Sequence, residues 1–369
     1  VRISVARKLF EEALSSSGMV VSKSSPRVSI QCVLIECEDS CMTITGTNLN
    51  YWVEKTIPAE CENGSFLVQH DRLLAAVRSI KSGDVVTLEY DNDLQLLKVK
   101  CGKAKWEFAC VDPSEFPRPK RINDEGVFVL SSEYRNAIKK TAFAAEIETT
   151  QYALQAVAHF ADHFGVSLVA TDGRRLSKCF ATCGWKTESQ VPVLVPASVM
   201  KTIEKISASI DGSDLICVSF DASTVCFSFA STKVTSRTQE GKFPQNWSLI
   251  LPGSDPIAKV SVPADELKAS LDATRVTTDK LSSAVDFTVG EHIEISSKDE
   301  TGSSAIALTC DVEWQVEKTP FVIRVSPSYM SDIASVFPGE MIEIAFYGSD
   351  KQVVVNGANG FVGVVMPLG

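Results

Sequence analysis

Three apolar-proline dipeptides, Phe116-Pro117, Phe243-Pro244 and Met366-Pro367, fall 127 and 123 residues apart, about one domain length each. Other features repeat in step. Thr47-Asn48-Leu49 in "TITGTNLN" returns 124 residues later as Thr171-Asp172 in "LVATDGRRL". The segments "ISVARKLFEEAL" from Ile3, "FVLSSEYRNAIKKTA" from Phe128 and "VSVPADELKASLDA" from Val260 share one pattern: a short β-prone run, a helix start, then two or three amphipathic turns. A period of this length sets the architecture before any single site does. The chain therefore reads as three copies of one domain, at 1–120, 121–253 and 254–369.

Within each copy the remainder is β-rich, in runs of Val, Ile, Thr and Phe such as "SIQCVLIE", "TVCFSFA" and "HIEISSK", separated by Asp-Gly, Asn-Gly and Gly-Ser breaks. Each copy also holds a second helix pattern, at 70–81, 197–209 and 326–337. Two helices with about eight strands per copy is an α+β arrangement and not alternating βαβ.

The composition, 44% apolar and 22% charged, is that of an ordinary globular protein. No apolar run is long enough to span a bilayer and the chain opens directly on a strand and helix pattern, so no signal peptide, transit peptide or membrane span is expected. The 11 cysteines are odd in number and contain no CxxC, which points to reduced thiols in a cytoplasmic setting. The net charge of −10 argues against nucleic acid only if charge is evenly spread. It is not: the helix patterns of the first two copies hold Arg7, Lys8, Arg72, Arg78 and Lys81, then Arg135, Lys139, Lys140, Lys201 and Lys205. Such residues suit solvated helix faces, and they also suit one basic surface on an acidic body.

A search for catalytic chemistry returns little. His159 and His163 form HxxxH, but their context reads as strand, turn, strand, and no Glu follows the first His. No GxSxG, GxxxxGK[ST] or GxGxxG occurs, and no carboxylate pair suggests acid-base work. Neither a metal nor a cofactor is expected. This favours a binding protein over two alternatives: a β-rich metal-dependent hydrolase resting on those histidines, or a repeat-built scaffold unrelated to DNA.

"LVATDGRRL" (168–176), "TITGTNL" (43–49), "WEFACVDPSEFP" (106–117), "GKFP" (241–244) and the terminal "VVMPLG" resemble the signatures of the bacterial DNA polymerase sliding clamp family, the beta subunit of polymerase III. The resemblance runs the length of the chain. It implies three equivalent clamp domains, two helices packed on antiparallel sheets in each, and a head-to-tail dimeric ring with helices lining the hole. It implies a non-catalytic, cytoplasmic processivity factor that encircles double-stranded DNA without sequence preference. Its partners would be the polymerase, the clamp loader and other clamp-binding-motif proteins.

Carried over by position, the DNA-facing residues would be Lys23, Arg27, Arg78, Lys139, Lys140, Tyr152, Lys201 and Lys205. The peptide groove would comprise Leu154, Thr171, Gly173, Arg174, Arg175 and Leu176, with Pro244, Tyr329, Val364, Met366, Pro367 and Leu368. Trp106 and Phe108 would meet Val276 and Thr277 across the subunit interface. There are departures from the family pattern. Ser24 and Gln151 stand where arginine is frequent, Thr277 where an aliphatic is, and Gly369 where the family commonly has a basic residue near the end. The segment "QNWSLILP" after Pro244 is also one residue longer than is usual in the family, which predicts a reshaped rim near Ser248 and Leu249.

Overall fold

The computed structural model of the chain describes residues 1–80, 83–122, 126–146, 151–183, 192–221, 223–278 and 283–368. Lys81 and Gly369 lie outside the described residues. The chain divides into two compact units, Val1–Ser132 with Thr202–Thr238, and Glu133–Lys201 with Gln239–Gly369. The segment 121–253 is thus shared between the units.

Among the described residues the first unit is built on a 13-stranded antiparallel sheet. Its order runs from Val127–Leu130 through 215–220, 224–229 and 232–237 to Tyr51–Pro58, then through 41–47, 32–38 and 64–69 to Ala104–Val111 and the strands beyond. The second unit holds a nine-stranded sheet in which 193–196, 156–161, 165–171 and Arg175–Thr182 lead into Phe361–Val365, 353–357, 341–346, 258–263 and 312–314. A four-stranded sheet, 303–307, 293–298, 285–289 and 321–325, completes it. Helices packed on antiparallel sheets make this an α+β fold.

The sheets hold because their strands alternate correctly. In Cys41–Thr47, Met42 and Ile44 are buried in the first core with Val33, Ile35 and Phe66, while Thr43 and Thr45 face the other way. A register slip of one residue would exchange these faces.

Among the described residues the α-helices are α1 (Arg7–Ser17), α2 (His70–Ser79), α3 (Ser131–Thr141), α4 (Ala197–Ile206), α5 (Ala264–Thr274) and α6 (Pro327–Ala334). All six fall where the amphipathic patterns predict them. In α1 the buried residues are Phe10, Ala13, Leu14 and Ser17, and in α5 they are Ala264, Leu267, Ser270, Leu271 and Thr274, the i, i+3, i+4, i+7 stripe of a one-sided helix. A shared device ends them. Ser17, Thr141 and Thr274 each donate a hydroxyl to the carbonyl four residues back, at 2.7 Å, and so do Ser207 after α4 and Ser335 after α6, at 2.6 and 2.7 Å. Such back-bonding gives the carbonyl a second donor beside the helical amide, as at Ser331, whose carbonyl also accepts the Ser335 N–H at 2.9 Å.

The HxxxH histidines are not on a helix. His159 lies on strand 156–161, buried, with Nδ1 3.1 Å from the Val157 carbonyl and Nε2 2.8 Å from the Tyr134 hydroxyl. Nδ1 must therefore donate, and in the neutral ring that burial favours Nε2 accepts from the Tyr134 hydroxyl. His163 is exposed in the turn beyond. All eleven cysteines are free thiols, most of them buried.

Burial holds the His159 pKa down, to about 4. Its folded value lies below its unfolded value of about 6.5, so the unfolded chain takes up the proton first as pH falls. Stability is therefore expected to decline between about pH 6.5 and pH 4, by up to about 3 kcal/mol from this residue alone. Denaturant melts across that range should give a shallower decline for His159→Gln; equal slopes for the two proteins would exclude His159 as the source.

Candidate partner-binding groove

The turn joining strands 165–171 and 175–182 is over-determined by side chains. Thr171 Oγ1 accepts the Gly173 N–H at 3.0 Å and donates to the Arg175 carbonyl. Asp172 Oδ1 accepts the N–H groups of Arg174 and Arg175, both at 2.9 Å, and Gly173 takes φ +87°. The same turn stands in the first repeat. Thr47 Oγ1 accepts from the Leu49 N–H at 2.9 Å, Asn48 Oδ1 accepts from Asn50 and Tyr51, and Leu49 takes φ +76°. The sequence echo at 47–49 and 171–172 is thus a structural repeat.

From this turn, Arg175–Thr182 runs antiparallel to Phe361–Val365, with Leu176 opposite Val364. The chain end continues the ladder. The Met366 N–H donates to the Arg174 carbonyl at 2.9 Å and the Leu368 N–H to the Arg324 carbonyl at 2.8 Å. Leu176 and Val364 share a buried cluster with Ala153, Ala156, Val169 and Phe243, and Phe160, Trp247 and Ile250 pack partly buried against it. Beside this cluster a cleft of about 430 Å³ is lined by Gln151, Tyr152, Ala153, Leu154, Lys242 and Pro244, among others.

The expected groove residues play different parts. Leu154, Thr171, Leu176 and Val364 are buried and form an underlayer. Gly173, Arg174, Pro244 and Met366 are exposed, and Pro367 and Leu368 are half-buried. Arg175 is a fixture: its guanidinium donates to Asp172 at 2.9 Å, to Asp332 at 2.5 Å and to the Phe143 carbonyl at 2.9 Å, and lies 4.6 Å from the centre of the Tyr329 ring. All of them belong to the second unit, where Leu176 meets Val364, Met366 meets Arg174, Arg175 meets Tyr329, and Leu154 lines one cleft with Pro244.

Sequence reasoning missed Phe160, Trp247 and Lys178. The Phe160 and Trp247 rings lie 5.2 Å apart, and Lys178 Nζ sits 5.8 Å from the Trp247 ring centre. "QNWSLILP" was legible as a rim but its aromatic anchor was not, because the contact is with a strand 87 positions earlier. Leu249 on that rim is 76% exposed.

Of the DNA-facing set, Lys23, Arg27, Lys139, Tyr152, Lys201 and Lys205 are exposed. Arg78 is also exposed, though its guanidinium reaches Glu11 at 3.5 Å and Ser15 at 3.1 Å. Lys140 corrects the expectation. It is 2% exposed, with Nζ 4.1 Å from the centre of the Phe337 ring, so it is a packed core cation and not a surface one.

At the expected subunit interface, Trp106 and Phe108 are half-buried on Ala104–Val111. That strand meets 64–69 only through Cys110 and Val111, so among the described residues 104–109 pair on one side only, with 96–101. Val276 is 82% exposed just beyond α5, whereas Thr277 Oγ1 hydrogen-bonds with Ser297 at 2.7 Å and Ser304 at 2.6 Å. The hydroxyl thus serves the chain's own packing where an aliphatic would be free to make a contact.

Among the described residues no helix is long and apolar enough to cross a membrane, and no group of three or more His, Cys, Asp or Glu could hold a metal.

Comparison with known proteins gives a consistent result. Residues 1–120 match the family model of the DNA polymerase III beta subunit N-terminal domain, and residues 129–245 match that of its central domain. The beta sliding clamp of Bacillus subtilis is 24% identical over 352 residues, covering 91% of each protein. That of Treponema pallidum is 21% identical over 363 residues, covering 96% of this chain and 95% of its own. Among solved structures, the DNA polymerase III subunit beta of Pseudomonas aeruginosa superposes with a TM-score of 0.91 at 18% identity, covering all of both chains. The Bacillus subtilis sliding clamp gives a TM-score of 0.90 at 21% identity, covering 100% of this chain and 99% of its own. The matches follow the chain from end to end and agree with the repeated turn and its motifs: the chain belongs to the bacterial DNA polymerase III beta-subunit family, the beta sliding clamps.

Proposed function

We propose that two copies of this chain close head to tail into a ring of six domains, three from each at 1–120, 121–253 and 254–369. The ring would encircle duplex DNA and tether the replicative polymerase in the cytoplasm. Like the family, the chain does this without catalysis. The two matched family models, which begin at 1 and 129, are consistent with the first two domains.

The groove at the Thr171–Leu176 turn carries the reading of partner binding. It offers an apolar floor, exposed Arg174 and Met366 at its rim, and backbone groups held by Asp172, a combination that suits an extended peptide with bulky apolar anchors. Clamp-binding motifs of the polymerase, the clamp loader and other replication proteins would dock there. DNA contact is assigned to exposed cations, among them Lys201 and Lys205, one helical turn apart on α4. Each would give a sequence-independent phosphate interaction, weak enough to permit sliding. Trp106 and Phe108, on the open edge of 104–109, would meet Val276 of a second copy, which would also cover that edge.

The subunit mass is 40.0 kDa, and light scattering at micromolar concentration is expected to give twice that. Trp106→Glu should yield folded monomers, because it places a charge in the interface without touching the second unit. A wild-type monomer would defeat the ring. After loading, the protein should stay on nicked circular DNA and leave when the circle is linearised; equal retention on both would mean ordinary DNA binding.

Removing everything after Val365 should abolish binding of an apolar, Gln-containing peptide in fluorescence anisotropy while the dimer persists. The cut must not fall earlier, since Val364 and Val365 are fully buried on a central strand. Undiminished peptide affinity in the truncated protein would remove Met366–Leu368 from the site.

A further inference from the structure

The strand that follows each Thr-Asx turn carries a charged residue at the same register, seven positions after the threonine: Glu54 after Thr47 and Lys178 after Thr171. Their surroundings differ. Glu54 lies opposite Lys233, so in the first unit charge faces charge across the strand pair. In the second unit Lys178 lies opposite Val362 on one side and Val169 on the other. Its neighbours along the same face of the strand are Leu176 and Phe180. Every position flanking this lysine is apolar.

Lys178 is half-buried, and among the described residues its ammonium makes no ion pair or hydrogen bond; Nζ rests 5.8 Å from the centre of the Trp247 ring. The next carboxylate in its row of the sheet is Glu343, three strands on, since Val362 lies opposite Asn356 and Asn356 opposite Glu343. Glu343 is already engaged, accepting from Asn356 at 2.9 Å and from Lys259 at 3.4 Å. A half-buried ammonium gives up part of its hydration, and an aromatic face restores less of that loss than a carboxylate does. The opposing charge that the first unit builds into its own sheet has to come to Lys178 from outside the chain.

Trp247 ties this cation to the groove. Its N–H donates to the Pro244 carbonyl at 3.2 Å, and Pro244 lines the cleft of about 430 Å³ with Leu154. The rim thus runs in one turn from the cleft to the Trp247 ring, which packs against Phe160 and stands beside Lys178. Leu176, in the buried floor, is the residue next to Lys178 on the same strand face. A chain lying on that floor passes within reach of the ammonium.

We propose that Lys178 is a specificity residue of the groove, selecting peptides that carry a carboxylate next to their apolar anchors and binding that carboxylate beside Trp247. The assignment rests on the reading of the groove as a peptide site. The carboxylate belongs either to an Asp or Glu side chain within the peptide or to the peptide's free end. Both are drawn to a cation set among apolar side chains, where its field is screened less than in open water. A basic residue at the same place would meet like charge and be rejected.

Fluorescence anisotropy with the full chain would use a Gln-containing peptide with bulky apolar anchors, in which Asp or Asn stands in turn at each place beside an anchor and the end is a free acid or an amide. With the wild-type chain one Asp peptide should bind about tenfold tighter than its Asn counterpart, marking a side-chain carboxylate, or the acid about tenfold tighter than the amide, marking a terminal one. The preference should shrink as salt is raised. In Lys178→Met, which keeps an unbranched apolar stem on the strand, the affinity ratio should fall to about one, and in Lys178→Glu it should invert. A lysine with a structural part alone would weaken every peptide alike and leave the ratio as it was. Wild-type binding without preference for a carboxylate, or a preference that survives both substitutions, would overturn the assignment and leave the groove standing. Failure of every peptide to bind the wild-type chain would remove the groove reading and the assignment with it.

Discussion

An antiparallel sheet ends in two rows of unpaired backbone N–H and C=O groups, and a chain this rich in strands has to pair them or cover them. Here the strand that follows each Thr-Asx turn does the pairing. Tyr51–Pro58 joins Thr232–Arg237 in the first unit, and Arg175–Thr182 joins Phe361–Val365 in the second. Each ladder merges sheet from one repeat with sheet from another, and the proline marks lie beside these junctions. Trp52 Nε1 donates to the Pro117 carbonyl at 2.6 Å, and Pro244 follows Phe243, which is buried with Leu176 and Val364. The open side of 104–109 is the edge assigned to a second copy.

Why one junction has an apolar groove follows from the sizes of a few side chains at equal registers. In the first unit the cluster beneath the junction is Cys32, Leu34, Trp52, Leu67 and Phe116. Its counterpart in the second unit has Ala156, Ala158, Leu176, Leu194 and Phe243. Alanine for leucine and leucine for tryptophan removes the bulk that fills the first junction. Close-packed interiors do not tolerate such losses without rearrangement, and here Trp247 and Ile250 from the following segment lean in over Phe160. The corresponding segment of the first unit brings Arg118 and Lys120 to acidic partners instead. The asymmetry between junctions is therefore chemical, on a conserved backbone plan.

Much of this was legible in the sequence, for physical reasons that can be named. The six helices were readable because each shows a one-sided apolar stripe, and the turns at 47–49 and 171–173 because Thr-Asx is a local hydrogen-bonding program. Division into two units by continuous sheets was not readable, since pairing between Thr235 and Trp52 leaves no local trace. Lys140 shows the same limit in a site residue. On α3 it is one position from exposed Lys139, and only the Phe337 ring, brought there by the fold, makes it a core residue. Helical position alone cannot separate a cation that faces solvent from one that packs on an aromatic face.

Gly173 brings these threads together. Its φ of +87° belongs to the left-handed region that glycine enters freely, and the equivalent Leu49 adopts +76° in the first repeat. The turn can thus be built with a side chain there, at a cost of about 1 kcal/mol. Crowding does not demand glycine either, since a Cβ at 173 would meet nothing within 4 Å. What glycine provides at 173 and leucine does not provide at 49 is clear space above a turn whose amides are already fixed by Thr171 and Asp172. A rigid, unobstructed turn beside an apolar floor is what an extended peptide backbone needs for close approach, and only the second junction has both.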